Sequence, residues 1–393
     1  MKKEKNKCEY CGNNQANHTI SWISNTLSVI FEPTDRIILG SLLGRSIDII
    51  LQYSTRPYLF FLETVRLISW NEDINKALTK RSFVIWEEAK KRNIKMEQLV
   101  IFGKPVEFYK ATLNKKMIYF ESIPKTKKGF IQSIIWMDDK LKLKEKLEEK
   151  NIPVPKGKSV FTYKQALSIF KKIDGPVILK PRIGSRGRHS LTHIKTKEDL
   201  KKAFKIAKKM CFFVIIEEHL VGSVYRGTCI NNRLVGVLEG MPPRITGNGH
   251  DNINSLIEQK NKKVVKPVSE VPINKILVEF LKKINYKLDS ILEDGKTIDL
   301  SEKIGISYGG NSKEIFNETN KDLKEVIEKA AEVVNAGVIG FDFIIEDPKK
   351  NIESQKWGII ECNSLPFINL HHYPEEGDPI NIAKSVWDEI EVK

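Results

Sequence analysis

Two apolar runs near the C-terminus, separated by a lysine-rich polar turn, constrain the fold of this chain more than any other feature. In GFDFIIEDPKKNIESQKWGIIECN, residues 340–363, each run is apolar enough for a core strand, and Asp-Pro and Asn punctuate the segment between them. The pattern predicts an antiparallel β-hairpin over 338–363. Polar side chains interrupt it at particular places. Glu361 and Asn363 are two apart and share a face of the second strand, while Cys362 points to the other side. Asp342 breaks the first run, and pairing of the two strands brings it near Glu361 and Asn363. Such an all-oxygen cluster suits Mg²⁺, and buried carboxylates without a cation are costly. A structural hydrogen-bond network is the alternative. Zinc hydrolysis by His371 and His372 is a further reading, although adjacent histidines on a strand point to opposite faces.

The remaining segments point to α+β with a mixed or antiparallel sheet rather than a doubly wound one. At 393 residues the chain can hold roughly two or three domains. We expect a polar tail over 1–19, an N-terminal helical and α/β domain over 20–130, and a third region over 131–393. Within the N-terminal domain, residues 20–75 read as packed helices, or as an amphipathic surface for a membrane or a partner. SFVIWEEAKKRNI reads as a helix, and LVIFG and KMIYFESIP as strands. After Asn151-Ile-Pro-Val-Pro155 the chain alternates strand and helix as far as FFVIIEEHL, and the region beyond Gly222 reads as antiparallel β with insertions.

Composition narrows the function less. The chain is 41 % hydrophobic and 29 % charged, a globular balance. Its longest uncharged stretch, Tyr10–Phe31, is too polar for a membrane span, and no signal peptide is evident, so a cytoplasmic location is expected. The net charge of +15 favours anionic partners. Without an aromatic–basic module, nucleic acid is not expected to be one of them. Five cysteines make no disulfide framework. Cys8-Glu-Tyr-Cys11 is half of a zinc ribbon, but the next cysteine is Cys211. His18 could assist, yet the plainer reading is a mobile tail.

In PVILKPRIGSRGRHS, 176–190, an apolar strand delivers Lys180 at its end, and Gly184, Ser185, Arg186 and Gly187 follow as a flexible turn. Glycines let backbone N–H groups approach phosphate oxygens while a lysine supplies charge. It is not a P-loop, since no GK[ST] follows. A surface turn after a core strand is the competing reading. In FFVIIEEHLVG, 212–222, a buried strand runs through Glu217 and Glu218 to Leu220 and a glycine. Such a hinge suits a purine edge read by backbone groups, and a domain linker has a similar pattern.

Together these segments resemble the ATP-grasp superfamily, specifically the ATP-grasp portion of cyanophycin synthetase and of the bifunctional glutathione synthetases. The family's DK…K helix and GIPVP-like turn have counterparts in Asp139-Lys140…Lys144 and 151–155, with Lys144 nine residues before Pro153. Its strand-end KP pair matches Lys180-Pro181, its lid Gly184–Gly187, and its hinge Glu217, Gly222 and Arg226. PPRITGNGHDNINSLI, 242–257, and Leu300 with Ser307-Tyr-Gly-Gly310 match two further segments. The pattern E-x-N-x-x-P-x(4)-H-x-x-P is met by Glu361, Asn363, Pro366, His371 and Pro374.

The resemblance implies an ATP-grasp fold over 131–393, with a lid-bearing subdomain near 156–215, preceded by the small α/β domain. It implies ATP and Mg²⁺ as cofactors, with a pair of ions and Mn²⁺ as a substitute. Lys144, Lys180, Gly184, Ser185, Arg186, Gly187, Glu217, Glu218 and Leu220 would then hold the nucleotide. Asp342, Glu361 and Asn363 would hold the metal, and Arg226 and Lys303 would serve catalysis. The reaction implied is carboxylate–amine ligation through an acyl phosphate, on an amino acid or small peptide, with a homo-oligomer permitted. The sequence ends at Lys393 without the Mur-ligase-like half of cyanophycin synthetase, so single addition is expected rather than polymerisation. Departures occur at Val224, where relatives carry an acid, at Gly240 and Ser301, where they carry arginine, and at Asn248, where they carry aspartate. Those at Val224, Gly240 and Ser301 motivate the alternative of a degenerate nucleotide-binding protein without ligase activity.

Overall fold

A computed structural model describes residues 8–11, 15–40, 57–126, 136–184, 187–264, 268–301, 304 and 309–391. Ser185, Arg186, Lys303, Ser307 and Tyr308 lie outside the described residues.

The first sheet contains β1 (Ile68–Asn71), β2 (Lys95–Ile101), β3 (Lys104–Leu113) and β4 (Lys116–Phe120), hydrogen-bonded in that order and antiparallel throughout. Phe102-Gly103 and Asn114-Lys115 close its two tight hairpins with positive φ at every central residue, the backbone twist that two-residue hairpin turns require. The helix Lys80–Lys91 is N-capped by Thr79, whose side chain accepts from the Ser82 N–H. Val84, Ile85, Trp86 and Ala89 on this helix share one core with Tyr109 and Phe120 of the sheet. Ile382, Val386, Trp387 and Ile390 of the C-terminal helix Ile382–Glu391 enter the same core.

β5 (Gly157–Val160), β6 (Val177–Pro181), β7 (Leu191–Ile194) and β8 (Val214–Glu218) form a second sheet in the order β5-β8-β6-β7. The helices Tyr163–Phe170 and Lys197–Ala207 pack on it and give it a separate core, built around Leu179, Leu200 and Ile216. A third sheet holds β9 (Ser223–Ile230) and β10 (Arg233–Gly240). A small insertion follows them, with β11 (Arg244–Thr246) and β12 (Thr297–Asp299) beside two helices. The chain then returns to that sheet as β13 (Ser312–Glu314), β14 (Val338–Ile345) and β15 (Gly358–Asn363), giving the order β13-β10-β9-β14-β15. The helix Lys321–Val334 covers one face of it through Leu323, Ile327 and Ala331. All pairings between named strands are antiparallel, so the architecture is α+β as expected.

The N-terminus departs from the packed-helix reading, though not from its amphipathic-surface alternative, and from the mobile-tail reading. The helix His18–Gly40 exists, but Ile20, Ile23, Leu27, Ile30 and Phe31 on it are exposed rather than packed. It docks on the second sheet's unit: Asn25 Nδ2 donates to the Met210 carbonyl at 2.8 Å, and the Phe212 N–H donates to Thr26 Oγ1 at 3.0 Å. Residues 8–11, read from sequence as part of a mobile tail, form a short turn with Cys11 buried. Among the described residues, no helix is long and apolar enough to cross a membrane.

Candidate active site

The hairpin of β14 and β15 places Asp342 directly opposite Glu361, and Gly340 opposite Asn363. Directly paired residues share a face, so the two carboxyls and the Asn363 amide project to one side; a bulge interrupts the register only after Asp342. Asn363 Nδ2 lies 3.4 Å from Asp342 Oδ2. On the reverse face Phe341, Phe343 and Cys362 are buried in the core, so Cys362 takes no part in the cluster. On β9, Arg226 stands opposite Asp342 and grips it with both arms, Nε to Oδ1 at 2.7 Å and Nη2 to Oδ2 at 2.8 Å. The three oxygen donors are half-buried and share one face. Arg226 takes one edge of Asp342, and the donor set that remains fits a hard divalent cation that keeps waters or phosphate oxygens in its shell.

A second group lies behind the first. Asp139 caps the helix Lys140–Glu148 and is itself held by Arg182 Nη2 at 2.7 Å, both side chains being buried. This fixes the helix that carries Lys140 and Lys144. Lys144 Nζ and Lys180 Nζ converge on Glu217, Lys144 on Oε2 and Lys180 on Oε1 at 2.6 Å. Two cations on one carboxylate leave a net positive charge in a buried place. The Lys144 ammonium is pushed down to about 8, first by burial and further by Lys180, against the upward pull of Glu217. Burial favours the protonated Glu217 carboxyl, yet the two lysines hold it below its usual range. Lys140 bridges the two groups, with Nζ 3.8 Å from Glu361 Oε1 and a hydrogen bond to the Gly184 carbonyl.

Gly184 and Gly187, both at positive φ, line a cavity of about 640 Å³ together with Arg226, Asp342, Glu361 and Asn363. Lys144, Lys180 and Glu217 do not line it, and nor do Glu218 and Leu220. Glu218 instead accepts from the Lys156 N–H at 2.9 Å and from Lys356 Nζ at 2.6 Å, and Leu220 is buried. Of the remaining expected site residues, Ser185, Arg186 and Lys303 are outside the described set.

Several cavity residues were not identified from the sequence. Ser21 and Asn25 reach it from the N-terminal helix, Arg81 from the helix Lys80–Lys91, and Arg188 from the end of the glycine turn. Arg188 alone had a cue, its position in GSRGRHS. Val224 and Gly240, two of the departures, are cross-strand partners that both line the cavity. A side chain at Gly240 would meet Ile304 Cγ2 at 2.8 Å.

His371 is not a ligand in this cluster. It is fully buried, with Nδ1 2.6 Å from Glu314 Oε2 and Nε2 2.7 Å from Thr228 Oγ1. Gly236 makes room for it, since a Cβ there would stand 2.5 Å from Nδ1. His371 and His372 lie on a short helix rather than a strand, and burial pushes His372 down to about 4.

No protein-family model matches the chain. It is 30 % identical over 310 residues to a glutathione biosynthesis bifunctional protein of Clostridium perfringens, covering 77 % of this chain and 40 % of that protein. It is 26 % identical over 259 residues to a cyanophycin synthetase of Synechocystis, covering 64 % of this chain and 30 % of that one. Among solved structures, a bifunctional glutathione synthetase from Pasteurella multocida matches with a TM-score of 0.59 at 22 % identity, over 78 % of this chain and 42 % of that one. The chain thus spans less than half the length of the relatives it matches. By fold and by these relationships, the chain has the ATP-grasp fold and is similar in sequence to these enzymes.

Proposed function

We propose that this chain is an ATP-dependent ligase that joins a carboxylate to an amine, acting on an amino acid or small peptide. One observation carries the reading. A pair of flanking glycines, an arginine and three oxygen donors converge on one cavity, with two buried lysines behind it.

In the proposed reaction a carboxylate oxygen of the acceptor attacks the γ-phosphorus of ATP, the β–γ bridging P–O bond breaks, and ADP leaves. The amine nitrogen then adds to the acyl carbon, the tetrahedral adduct collapses with C–O cleavage, and phosphate carries off the bonding pair. This chemistry asks the protein for position and charge rather than for a nucleophile. Asp342, Glu361 and Asn363 would hold Mg²⁺, which when bound screens the phosphate charge. The proposal includes a pair of such ions, with Mn²⁺ as a substitute.

Lys144 and Lys180 would face the nucleotide phosphates, and Arg226, oriented by Asp342, the transferred phosphoryl group. Lys303 is a further catalytic candidate, and Ser185 and Arg186 complete the lid between Gly184 and Gly187. Backbone N–H groups there would close over the phosphates and keep water from the acyl phosphate. Near the hinge, the N–H groups of Glu218 and His219 already bond the Lys156 and Pro176 carbonyls. Reading of the adenine edge therefore falls to the backbone at Leu220. A neighbouring cavity, joined to the first through Asn311, Ser312 and Leu370, is rimmed by Lys80, Arg244, Lys260 and Lys263. It suits an anionic substrate. A cytoplasmic location and a homo-oligomer are consistent with the proposal.

The test is incubation with Mg-ATP and pooled amino acids and short peptides, with detection of ADP and of product mass. The expected outcome is acceptor-dependent ADP release and a product equal to acid plus amine less one water. ATP binding with no acceptor that stimulates ADP release would instead favour the degenerate nucleotide-binding protein that Val224, Gly240 and Ser301 motivate.

A further inference from the structure

Cys8, Cys11, His18 and His189 come together away from the ATP cavity, and their ligand atoms all lie within 4.8 Å of one another. Among the described residues no other group of His, Cys, Asp and Glu has this arrangement. The distances are those of a coordination sphere. Cys8 Sγ lies 3.5 Å from His189 Nε2, Cys11 Sγ 3.4 Å from the same nitrogen, and Cys11 Sγ 3.3 Å from His18 Nε2. Zinc bonds of about 2.3 Å to sulfur and about 2.0 Å to nitrogen, set tetrahedrally, place S and N about 3.5 Å apart.

The surroundings point the same way. His189 is fully buried, and its Nδ1 lies 2.8 Å from the Ile206 carbonyl oxygen. A carbonyl can only accept, so Nδ1 carries the proton and Nε2 turns its lone pair toward both sulfurs. A carbonyl partner on the far nitrogen is the usual way a protein fixes a metal-binding imidazole. The backbone is arranged for it too. Cys8 and Cys11 are joined by a tight turn in which the Cys11 N–H donates to the Cys8 carbonyl at 3.1 Å. The Tyr10 carbonyl within that turn accepts from the His189 N–H at 3.1 Å. His189 itself sits at φ +53°, a conformation that costs a non-glycine residue on the order of 1–3 kcal/mol. No described cysteine is in a disulfide.

We propose that these four residues form a structural zinc site that clasps the N-terminal segment onto the lid-bearing unit. Two thiols lose their protons to solvent on binding, and two thiolates, two neutral imidazoles and Zn²⁺ make a neutral centre suited to a buried place. All four positions are filled by protein, so the site has no open place for catalysis. Its consequence is mechanical. His189 stands two residues after Gly187, so the clasp anchors the downstream end of the glycine turn. It also begins the helix that carries Ser21 and Asn25 to the cavity wall. The site stands independently of the ligase reading; only this consequence rests on it.

The experiment is elemental analysis of the full chain, purified without metal-affinity resin, together with visible spectroscopy after exchange into Co²⁺. The expected result is one zinc per chain. The Co²⁺ form is expected to show tetrahedral d–d bands and thiolate charge-transfer absorption. Both are expected to be lost in Cys8→Ser/Cys11→Ser and in His189→Ala and kept in Asp342→Asn, which separates this metal from any at the ATP cavity. The spectrum of the unaltered chain needs no variant, so misfolding of a mutant leaves the test intact. Absence of stoichiometric zinc and of the Co²⁺ bands would overturn the proposal. So would zinc retained by the cysteine variant, or a Cys8–Cys11 disulfide found by mass in the native chain.

Discussion

Lys144 is the side chain whose environment has the most direct chemical consequence. Its ammonium is pushed to about 8 from an ordinary 10.5, mainly by burial. Between those values the folded chain binds fewer protons here than the unfolded chain. This one group therefore makes stability rise with pH across that window. A phosphate brought beside it favours the charged form and reverses the depression. We expect Mg-ATP binding at about pH 9 to take up part of a proton, and at about pH 6.5 to take up almost none from this group. Calorimetry in two buffers of different ionisation enthalpy measures that uptake. Lys144→Met should abolish it, and uptake of the same size in that variant would remove Lys144 from the nucleotide site. Lys180 and the hairpin oxygens were legible because strand ends and two-residue spacing fix where such side chains go, whereas Lys144 was found only through the family resemblance. Cys8 and Cys11 were legible only as half a motif. Their partner His189 lies 178 residues beyond Cys11, and no local spacing can announce a ligand brought in by tertiary packing.

At the scale of elements, the hairpin of β14 and β15 and the turn into β9 depend on a close approach at Gly222. Its φ is +128°, and a Cβ there would stand 2.3 Å from the Ile345 carbonyl oxygen, at the end of the neighbouring strand. Gly175 provides the comparison, with φ +100° and nothing within 4 Å. Gly175→Ala should incur only the backbone penalty, on the order of 1–3 kcal/mol. Gly222→Ala should lose clearly more, since β9 and β14 must also part. Urea midpoints of the two variants make the comparison; equal losses would mean that the contact at Ile345 yields freely. The hinge glycine was visible in the sequence, as were most strands, because apolar runs and turn residues mark them. β7 was not. Leu191-Thr-His-Ile194 has two exposed polar residues and no sustained alternation, and it is a strand because its backbone pairs with β6.

For the whole molecule the informative contact joins the C-terminal helix to the unit of the first sheet. Trp387 on the C-terminal helix is fully buried, and its indole N–H donates to the Ile85 carbonyl at 3.0 Å. Phe120 packs edge-on against it with centroids 6.4 Å apart. Arg92 adds ion pairs to Asp388 at 2.8 Å and Glu391 at 2.6 Å. Apolar patterning marked the helix around Lys80–Lys91 and the strand ending at Phe120 but not the terminal helix, and nothing in it said which core each would join, because a helix's apolar face does not name its partner. The arrangement matters for the site because the same unit carries Arg81, which donates to the Leu365 carbonyl at 2.6 Å and lines the cavity. Trp387→Ala is therefore expected to cost about 3–5 kcal/mol and to act well beyond its own helix. Amide exchange should quicken together in Ile382–Glu391, in Lys80–Lys91 and in the sheet of β1–β4. The β5–β8 unit, with a separate core, should keep its protection. Exchange that quickens in the terminal helix alone would show that the N-terminal unit stands without it, and that the cavity wall draws its rigidity from elsewhere.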